Sequence, residues 1–425
     1  MKSSLFSLLI HALIAAVLAV PSPAHAQKTG HPPFKLDVKA AALINVHSGQ
    51  FVFEQDADEQ IPPASLTKLM TLHLALDAVD NGYVTLEDRI PVSKKAWKTG
   101  GSKMFLRVDT EVSMEKLLTG IAVVSGNDAC VAVAEYIAGV EDVFVQKMNA
   151  KAAAIGLAKT LFRNSHGLPQ EGQLTTAHDM ALLAYDYMKS HPEALKYHGI
   201  KEMTFNKITQ RNRNGLLWLD YGIDGLKTGW FSRAGYHIIA TASRSGDRFI
   251  AVVMGDKSEA QRENTALKML NYGFRNFKTI RIPDEKTGAR VSVWKGSAGE
   301  VALGTSRDLY ITLPLDSQGE MYVEKDIPQR IFAPVEKNQD VGKLRIVFEN
   351  RVVKSVPLVT REPVARAGFA KRTIHALLLS FVLPPYWGAV IVLLVFVALV
   401  LCMVLDLRKS KKRKDDISNL DSLIH

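Results

Sequence analysis

Ser65 and Lys68 stand three residues apart in PPASLTKLMTLHLALDAV (62–79), where an apolar helix begins. Positions i and i+3 of a helix share a face, so the lysine amine can reach the serine hydroxyl and take its proton. A nucleophilic serine needs such a base. A serine at that place also suits a helix N-cap, whose hydroxyl accepts from otherwise free backbone N–H groups. These positions alone leave both roles open.

Two further groups offer chemistry. In VVSGNDACVAVAEYIAG (123–139), Ser125-Gly126-Asn127 falls in the break between an apolar helix expected over 113–122 and another from Asp128. If that break is extended, residues two apart face the same way, and Ser125 and Asn127 point into one cleft. Helix capping by Asn127 or Asp128 is the alternative. In DYGIDGLKTGW (220–230), Lys227 supplies positive charge, Thr228 a hydroxyl, and Gly229 lets a substrate backbone come close. The same letters recur at Lys286-Thr287-Gly288, among polar residues at a domain junction, and read there as an ordinary turn.

The elements that must position these groups follow from periodicity. AALINVHSGQFVFEQDAD (41–58) alternates about a Ser-Gly turn as a β-hairpin does, and GYHIIATASRSGDRFIAVVMG (235–255) forms a second hairpin turning at Ser245-Gly246. Apolar helices are expected at 66–80, 113–122, 128–138 and 177–189, and a short strand at 226–230. Strands first, helices in the middle and strands last predict an α+β domain over 27–281, an antiparallel sheet with a helical insertion. From 282 to 364 the runs ARVSVW, LYITLP, KLRIVFEN and RVVKSVPLV alternate with turn residues, predicting a small all-β domain without a catalytic cluster.

The ends carry targeting signals. Lys2, the apolar run Leu5–Val20 and AHA at 24–26 predict a signal peptide over 1–26. Residues 387–405 hold no charge before Asp406 and are long enough to cross a hydrocarbon core of about 30 Å as a transmembrane helix. Tyr386 and Trp387 suit an interfacial aromatic belt, and RKSKKRK (408–414) places the 406–425 tail in the cytoplasm. Residues 365–386 form a juxtamembrane segment. The expectation is an exported body on the periplasmic or extracytoplasmic side, held by one anchor. The net charge of +10 then suits anionic lipid or an anionic wall polymer, and nucleic acid is not expected as a partner. The two cysteines are Cys130 and Cys402, and with the second inside the span a disulfide is sterically implausible. Twelve histidines include no H-E-x-x-H or comparable spacing, and His73 reads as a satisfied core residue. Neither a phosphate-cradling loop nor a dinucleotide fingerprint occurs, so no metal and no cofactor is expected.

Each motif is weak alone, but S-x-x-K, S-x-N and K-T-G in that order are the signature of β-lactamases and penicillin-binding proteins, whose usual middle form is S-D-N. The chain resembles the D-alanyl-D-alanine carboxypeptidases among the low-molecular-mass penicillin-binding proteins. GSKMFL (101–106), RNSHGLP (163–169), TTAHDMALLA (175–184), RNRNGLLW (211–218) and GIDGLKTGW (222–230) follow the family's blocks in order, across nearly all of residues 36–370. The departure is at the end, where many relatives carry an amphipathic helix and this chain has a hydrophobic span.

The resemblance implies a β-lactamase/transpeptidase-like domain that removes the terminal D-alanine of peptidoglycan stem peptides ending in D-Ala-D-Ala. It implies an acyl-enzyme on Ser65 with Lys68 as base, its pKa depressed by Lys227. Ser125 would relay a proton to the leaving amine and Asn127 would hold the substrate's amide carbonyl. The backbone N–H groups of Ser65 and Trp230 would form the oxyanion hole. The strand bearing Gly229 would receive the peptide, and Thr228 with Arg262 its terminal carboxylate. β-Lactam antibiotics would acylate the same serine. A D,D-endopeptidase, a β-lactamase (although Glu171 lies outside the familiar loop pattern) and a non-catalytic wall-binding scaffold are the alternatives.

Overall fold

The alternation in Ala40–Asn45 and its partners builds one sheet with two usable faces. In the computed structural model, which describes residues 34–368 and the single positions Leu393, Phe396, Val397 and Val400, five strands pair antiparallel. Their order is Phe51–Gln55, Ala40–Asn45, Asp247–Asp256, Gly235–Arg244 and Ile223–Phe231. Because side chains alternate with period two, Ala40, Ala42, Ile44, Ile250, Val252 and Met254 pack beneath the helical insertion. Their neighbours Ala41, Leu43, Phe249, Ala251 and Val253 face the other way, onto Ala266, Met269 and Leu270.

Those last three belong to a helix, Glu259–Asn276, that the strand-helix-strand expectation omits. Its signals are in the chain. Ser258 caps it by accepting from the Gln261 N–H at 3.2 Å, and Ala266, Met269, Leu270 and Gly273 fall on one face. Gly273 lets the helix lie close to the sheet, since a Cβ there would be 3.2 Å from Leu43 and Phe249.

The helical insertion holds Lys68–Asp80, Met114–Val123, Asn127–Ala138, Glu141–Ala154 and Ala177–Ser190. Lys68–Asp80 is its centre, buried on nearly every side, as an apolar helix must be when it has no solvent face. It begins two residues later than expected, because Ala64–Thr67 forms a tighter 3₁₀ turn first. The strand expected at 226–230 is longer, Ile223–Phe231.

Chain contacts divide the molecule into two units, one running to Arg281 and regaining residues 310–318, the other made of the remainder. The LYITLP strand, Leu309–Pro314, therefore differs from its expected place. It pairs with Phe277–Ile282, and Thr312 joins a polar cluster with Ser48 (Oγ–Oγ1 2.6 Å) and Thr279 (3.0 Å). The second unit is all-β, with Val291, Val293, Val301, Leu303, Val335 and Val364 as its core. Lys286-Thr287-Gly288 lies there at the end of a short helical turn, with Thr287 Oγ1 donating to the Asp284 carbonyl.

The expected signal peptide and the 406–425 tail lie outside the described residues, as does the 387–405 span apart from those four positions. Among the described residues no helix is long and apolar enough to cross a membrane.

Candidate active site

The three motifs meet at one corner of the first unit, where the sheet edge strand Ile223–Phe231 passes the Ala64–Thr67 turn. Gly229 is the point of contact: a Cβ there would lie 3.3 Å from both the Pro63 carbonyl and the Ser65 nitrogen. Ser65 sits within the 3₁₀ turn rather than at the N-cap of the α-helix. That position belongs to Thr67, whose side chain makes no capping bond. The capping role open to Ser65 in the sequence is therefore not the one it fills.

Lys68 Nζ donates to Ser65 Oγ at 2.9 Å and also to the backbone carbonyl of His166. Lys68 is fully buried, and burial pushes its amine down to about 8, with Cys130 and Asp128 pulling the other way. Lys227, also buried, donates to the Thr228 carbonyl at 3.0 Å. Its pKa is held well below the ordinary range, first by burial and then by the charge of Lys68, with Arg262 and Arg213 adding to it. This revises the expected cause. Burial lowers Lys68, and the repulsion between the two amines falls chiefly on Lys227.

The Ser125 segment is not extended. Ser125 has φ 61°, in the left-handed region, and Asn127 is already the first residue of its helix. Neither Asn127 nor Asp128 caps that helix in the way the alternative supposed. Asp128 instead accepts from the N–H groups of Met104 (2.8 Å) and Leu106 (3.0 Å), pinning the 101–106 block to the helix. Asn127 donates to the Gly100 carbonyl at 2.6 Å. That leaves Ser125 Oγ and Asn127 Oδ1 buried without a hydrogen-bond partner. Buried polar atoms are rarely left so, which makes these two candidates for contact with a ligand's polar groups.

Arg262 is no surface arginine. Only 2 % exposed, it extends beneath the edge strand, donating to the Arg213 carbonyl at 3.1 Å and reaching the Gly229 carbonyl at 3.5 Å. Its Nε is a third buried atom without a partner. Thr228 is buried on the same strand, and Trp230 is exposed at its end. A cleft of about 350 Å³ opens beside Ala64, lined by Pro62, Gly167, Glu171, Phe231 and Arg233 among others.

The RNSHGLP block, which had no assigned chemistry, holds this turn in place. Its His166 carbonyl takes the Lys68 proton donor, Thr71 Oγ1 donates to the Ser165 carbonyl at 2.5 Å, and Glu141 accepts from the Ser165 N–H (3.0 Å) and hydroxyl (2.6 Å). Burial drives the His166 imidazole down to about 4, so it is neutral near pH 7. No spacing rule connects residues 98 apart in the chain. The one local signal was Gly167, a glycine inside a polar turn.

A serine hydrogen-bonded to a buried lysine beside a sheet edge, in a chain that also carries S-x-N and K-T-G in that order, fits the signature of β-lactamases and penicillin-binding proteins. The D-alanyl-D-alanine carboxypeptidase family profile matches residues 26–258, and that of the penicillin-binding protein 5 C-terminal domain matches 277–366. The chain belongs to the D-alanyl-D-alanine carboxypeptidase family. It is 37% identical over 373 residues to the D-alanyl-D-alanine carboxypeptidase DacC of Escherichia coli (strain K12), covering 86% of this chain and 93% of that one. The crystal structure of penicillin-binding protein 5 from Haemophilus influenzae is similar with a TM-score of 0.71 at 36% identity, covering 79% of this chain and all (100%) of that one. Penicillin-binding protein D2 from Listeria monocytogenes, solved in its ampicillin-bound form, is 31% identical with a TM-score of 0.53, over 57% of this chain and 100% of that one.

Gly167 has φ +85°, and a Cβ there would meet the Ala64 carbonyl oxygen at 1.9 Å. Gly167→Ala should displace the turn carrying Ser65 and slow acylation by a fluorescent penicillin at least about tenfold, a barrier change of roughly 1.4 kcal/mol. Gly299→Ala, where nothing lies within 4 Å, should leave the labelling rate unchanged.

Proposed function

We propose that the protein is a serine D-alanyl-D-alanine carboxypeptidase acting on peptidoglycan stem peptides, and that the observation carrying this is the 2.9 Å contact between Ser65 Oγ and the buried amine of Lys68. Ser65 Oγ attacks the carbonyl carbon of the D-Ala-D-Ala peptide bond while Lys68, in its neutral form, accepts the hydroxyl proton. The tetrahedral oxyanion is held by the backbone N–H groups of Ser65 and Trp230, donors whose value is greatest as charge develops. Lys68 hands that proton through Ser125 to the departing amine, the C–N bond breaks, D-alanine leaves, and Lys68 is neutral again. Water then attacks the Ser65 ester, and the proton it loses returns through Lys68 to Ser65 Oγ.

The substrate lies antiparallel along the exposed edge of Ile223–Phe231, the usual way an extended peptide adds to a sheet. The unpartnered Asn127 Oδ1 accepts from the substrate's amide. Thr228 receives the terminal carboxylate, and Arg262 contributes positive charge from beneath the strand. A β-lactam carbonyl occupies the same position as the scissile bond and acylates Ser65. Glu171 is exposed on the cleft rim, and Lys68 Nζ is engaged by Ser65 and His166, an arrangement that does not favour a glutamate-driven β-lactamase. The sequence supports export by residues 1–26 and anchoring by 387–405, with the enzyme on the extracytoplasmic side of the membrane.

The full-length protein should remove one alanine from a stem pentapeptide, read by mass, and Ser65→Ala should abolish both this and penicillin labelling. Cleavage of a cross-linked dimer with the pentapeptide left intact would move the enzyme to the endopeptidases.

Lys68 acts as base only when neutral, and its fraction in that form grows as pH rises through about 8. The kcat/KM for the pentapeptide should therefore climb with pH to a plateau above that value. Lys68→Arg should be nearly inactive throughout, since a guanidinium keeps its proton. A profile already flat below pH 7 would exclude Lys68 as the base.

Arg262→Gln should raise KM about tenfold or more with little change in kcat, the pattern expected when a binding charge is removed. An unchanged KM would remove Arg262 from carboxylate binding.

A further inference from the structure

The helix that carries Lys68 at its head has a second cluster on its far side. His73 and Asp77 lie at i and i+4, sharing a face. Against them packs His191, at the C-terminal end of the Ala177–Ser190 helix. His73 Nδ1, His191 Nε2 and Asp77 Oδ1 form a triangle with edges of 3.1, 3.0 and 3.5 Å. The imidazole rings stand nearly perpendicular, at 89°. Both histidines are buried, His73 completely, whereas the Asp77 side chain is 29% exposed and gives the cluster a route to solvent.

Hydrogen bonding alone serves this triangle poorly. His73 Nε2 lies 2.8 Å from Asp186 Oδ2, which fixes its proton on that nitrogen and leaves Nδ1 as an acceptor when the ring is neutral. His191 Nε2 has one proton to share between that acceptor and Asp77 Oδ1. A single N–H therefore faces two lone-pair atoms that also face each other.

A second proton on His73 or a bound cation would resolve the conflict, and the spacing suits the cation. Four-coordinate zinc holds its nitrogen and oxygen ligands at about 2.0–2.2 Å, which sets them roughly 3.3 Å apart at tetrahedral angles. The three edges match that spacing. One outer partner matches as well, because metal-bound histidines usually donate their other nitrogen to a carboxylate. His73 has Asp186 in that role. His191 Nδ1 has Asp80 at 2.9 Å, within ion-pair distance though not aligned as a hydrogen bond, so that this buried nitrogen otherwise lacks a partner. Glu193 lies 3.8 Å from the same atom. Lys151 is the opposing charge, 3.1 Å from Asp77 Oδ2 and 3.7 Å from Asp186. It leaves Oδ1 free to ligate and is outnumbered by the carboxylates.

We propose that His73, Asp77 and His191 form a binding site for one divalent transition metal, zinc by its donor set, with water completing the coordination on the Asp77 side. The site ties the helix that begins at Lys68 to Ala177–Ser190 and is independent of the acyl-transfer chemistry. His73 is buried and hydrogen-bonded, as expected of a satisfied core residue, and no sequence spacing points to its partner 118 positions away.

The test uses the full-length protein without an affinity tag, in detergent, stripped with a chelator and titrated with Co²⁺. The expected result is uptake of one equivalent with the intense visible absorption of four-coordinate Co²⁺, lost on addition of Zn²⁺. His191→Gln and Asp77→Asn should each weaken uptake at least about tenfold while Ser65 still labels with fluorescent penicillin, which reports the fold. If either variant fails to label, Asp186→Asn keeps all three ligands and should still weaken uptake about tenfold. No uptake by the unsubstituted protein, uptake with a six-coordinate spectrum, or uptake that these substitutions leave unchanged would overturn the site.

Discussion

Exclusion of water from the Lys68 amine is the constraint on which the rest of this structure turns. A solvated lysine titrates near about 10.4 and holds its proton too firmly to serve a serine at neutral pH. Taking it out of water requires a helix buried on nearly every side, and that in turn requires helices around it and a sheet beneath. Once Lys68 is in that environment, a second buried amine at Lys227 cannot readily carry charge beside it, and a proton gained by one is disfavoured on the other. The same dry pocket raises the Cys130 thiol to about 12 by burial, leaving it inert next to two amines.

The hydroxyl and amide groups facing Lys68 are kept under a different kind of control. Ser125 takes a left-handed backbone conformation, and Asp128, by accepting from the Met104 N–H, locks the segment while Ser125 Oγ and Asn127 Oδ1 stay without hydrogen-bond partners. Such local cost persists only where surrounding contacts over-determine it, and it is concentrated at functional sites. The pocket is thus stiff in its backbone and incomplete in its hydrogen bonding, a combination that favours charge arising during reaction over any resting partner.

Much of this was legible in the chain. Period-two alternation and Ser-Gly turns point to both hairpins, and residue type with order singles out Ser65, Lys68, Ser125, Asn127 and Lys227 as candidates, of which the structure joins Ser65 to Lys68 by a hydrogen bond. What escaped was closeness without adjacency. Nothing in RNSHGLP announces that its carbonyl will meet Lys68, and no spacing joins His73 to His191. The left-handed turn at Ser125 escaped because serine does not advertise a positive φ as glycine does. The Glu259–Asn276 helix escaped for a lesser reason: its apolar stripe is narrow and interrupted by charge, although its serine cap is plain. The resemblance places Arg262 with Thr228, but its burial against Tyr236 and the edge strand has no local signal, because arginines are mostly exposed.

The route of the chain after Arg281 has a consequence for assembly. The polypeptide leaves the first unit, lays down strands of the second, and comes back at residues 310–318, where Thr312 closes the hydroxyl cluster with Ser48 and Thr279 and its N–H donates to Gln50 at 2.7 Å. The larger unit is therefore not a continuous stretch of polypeptide. During synthesis it lacks a strand until part of the smaller unit has already been made, and no single cut at a boundary releases it whole. The two units are distinct in architecture but interleaved in sequence.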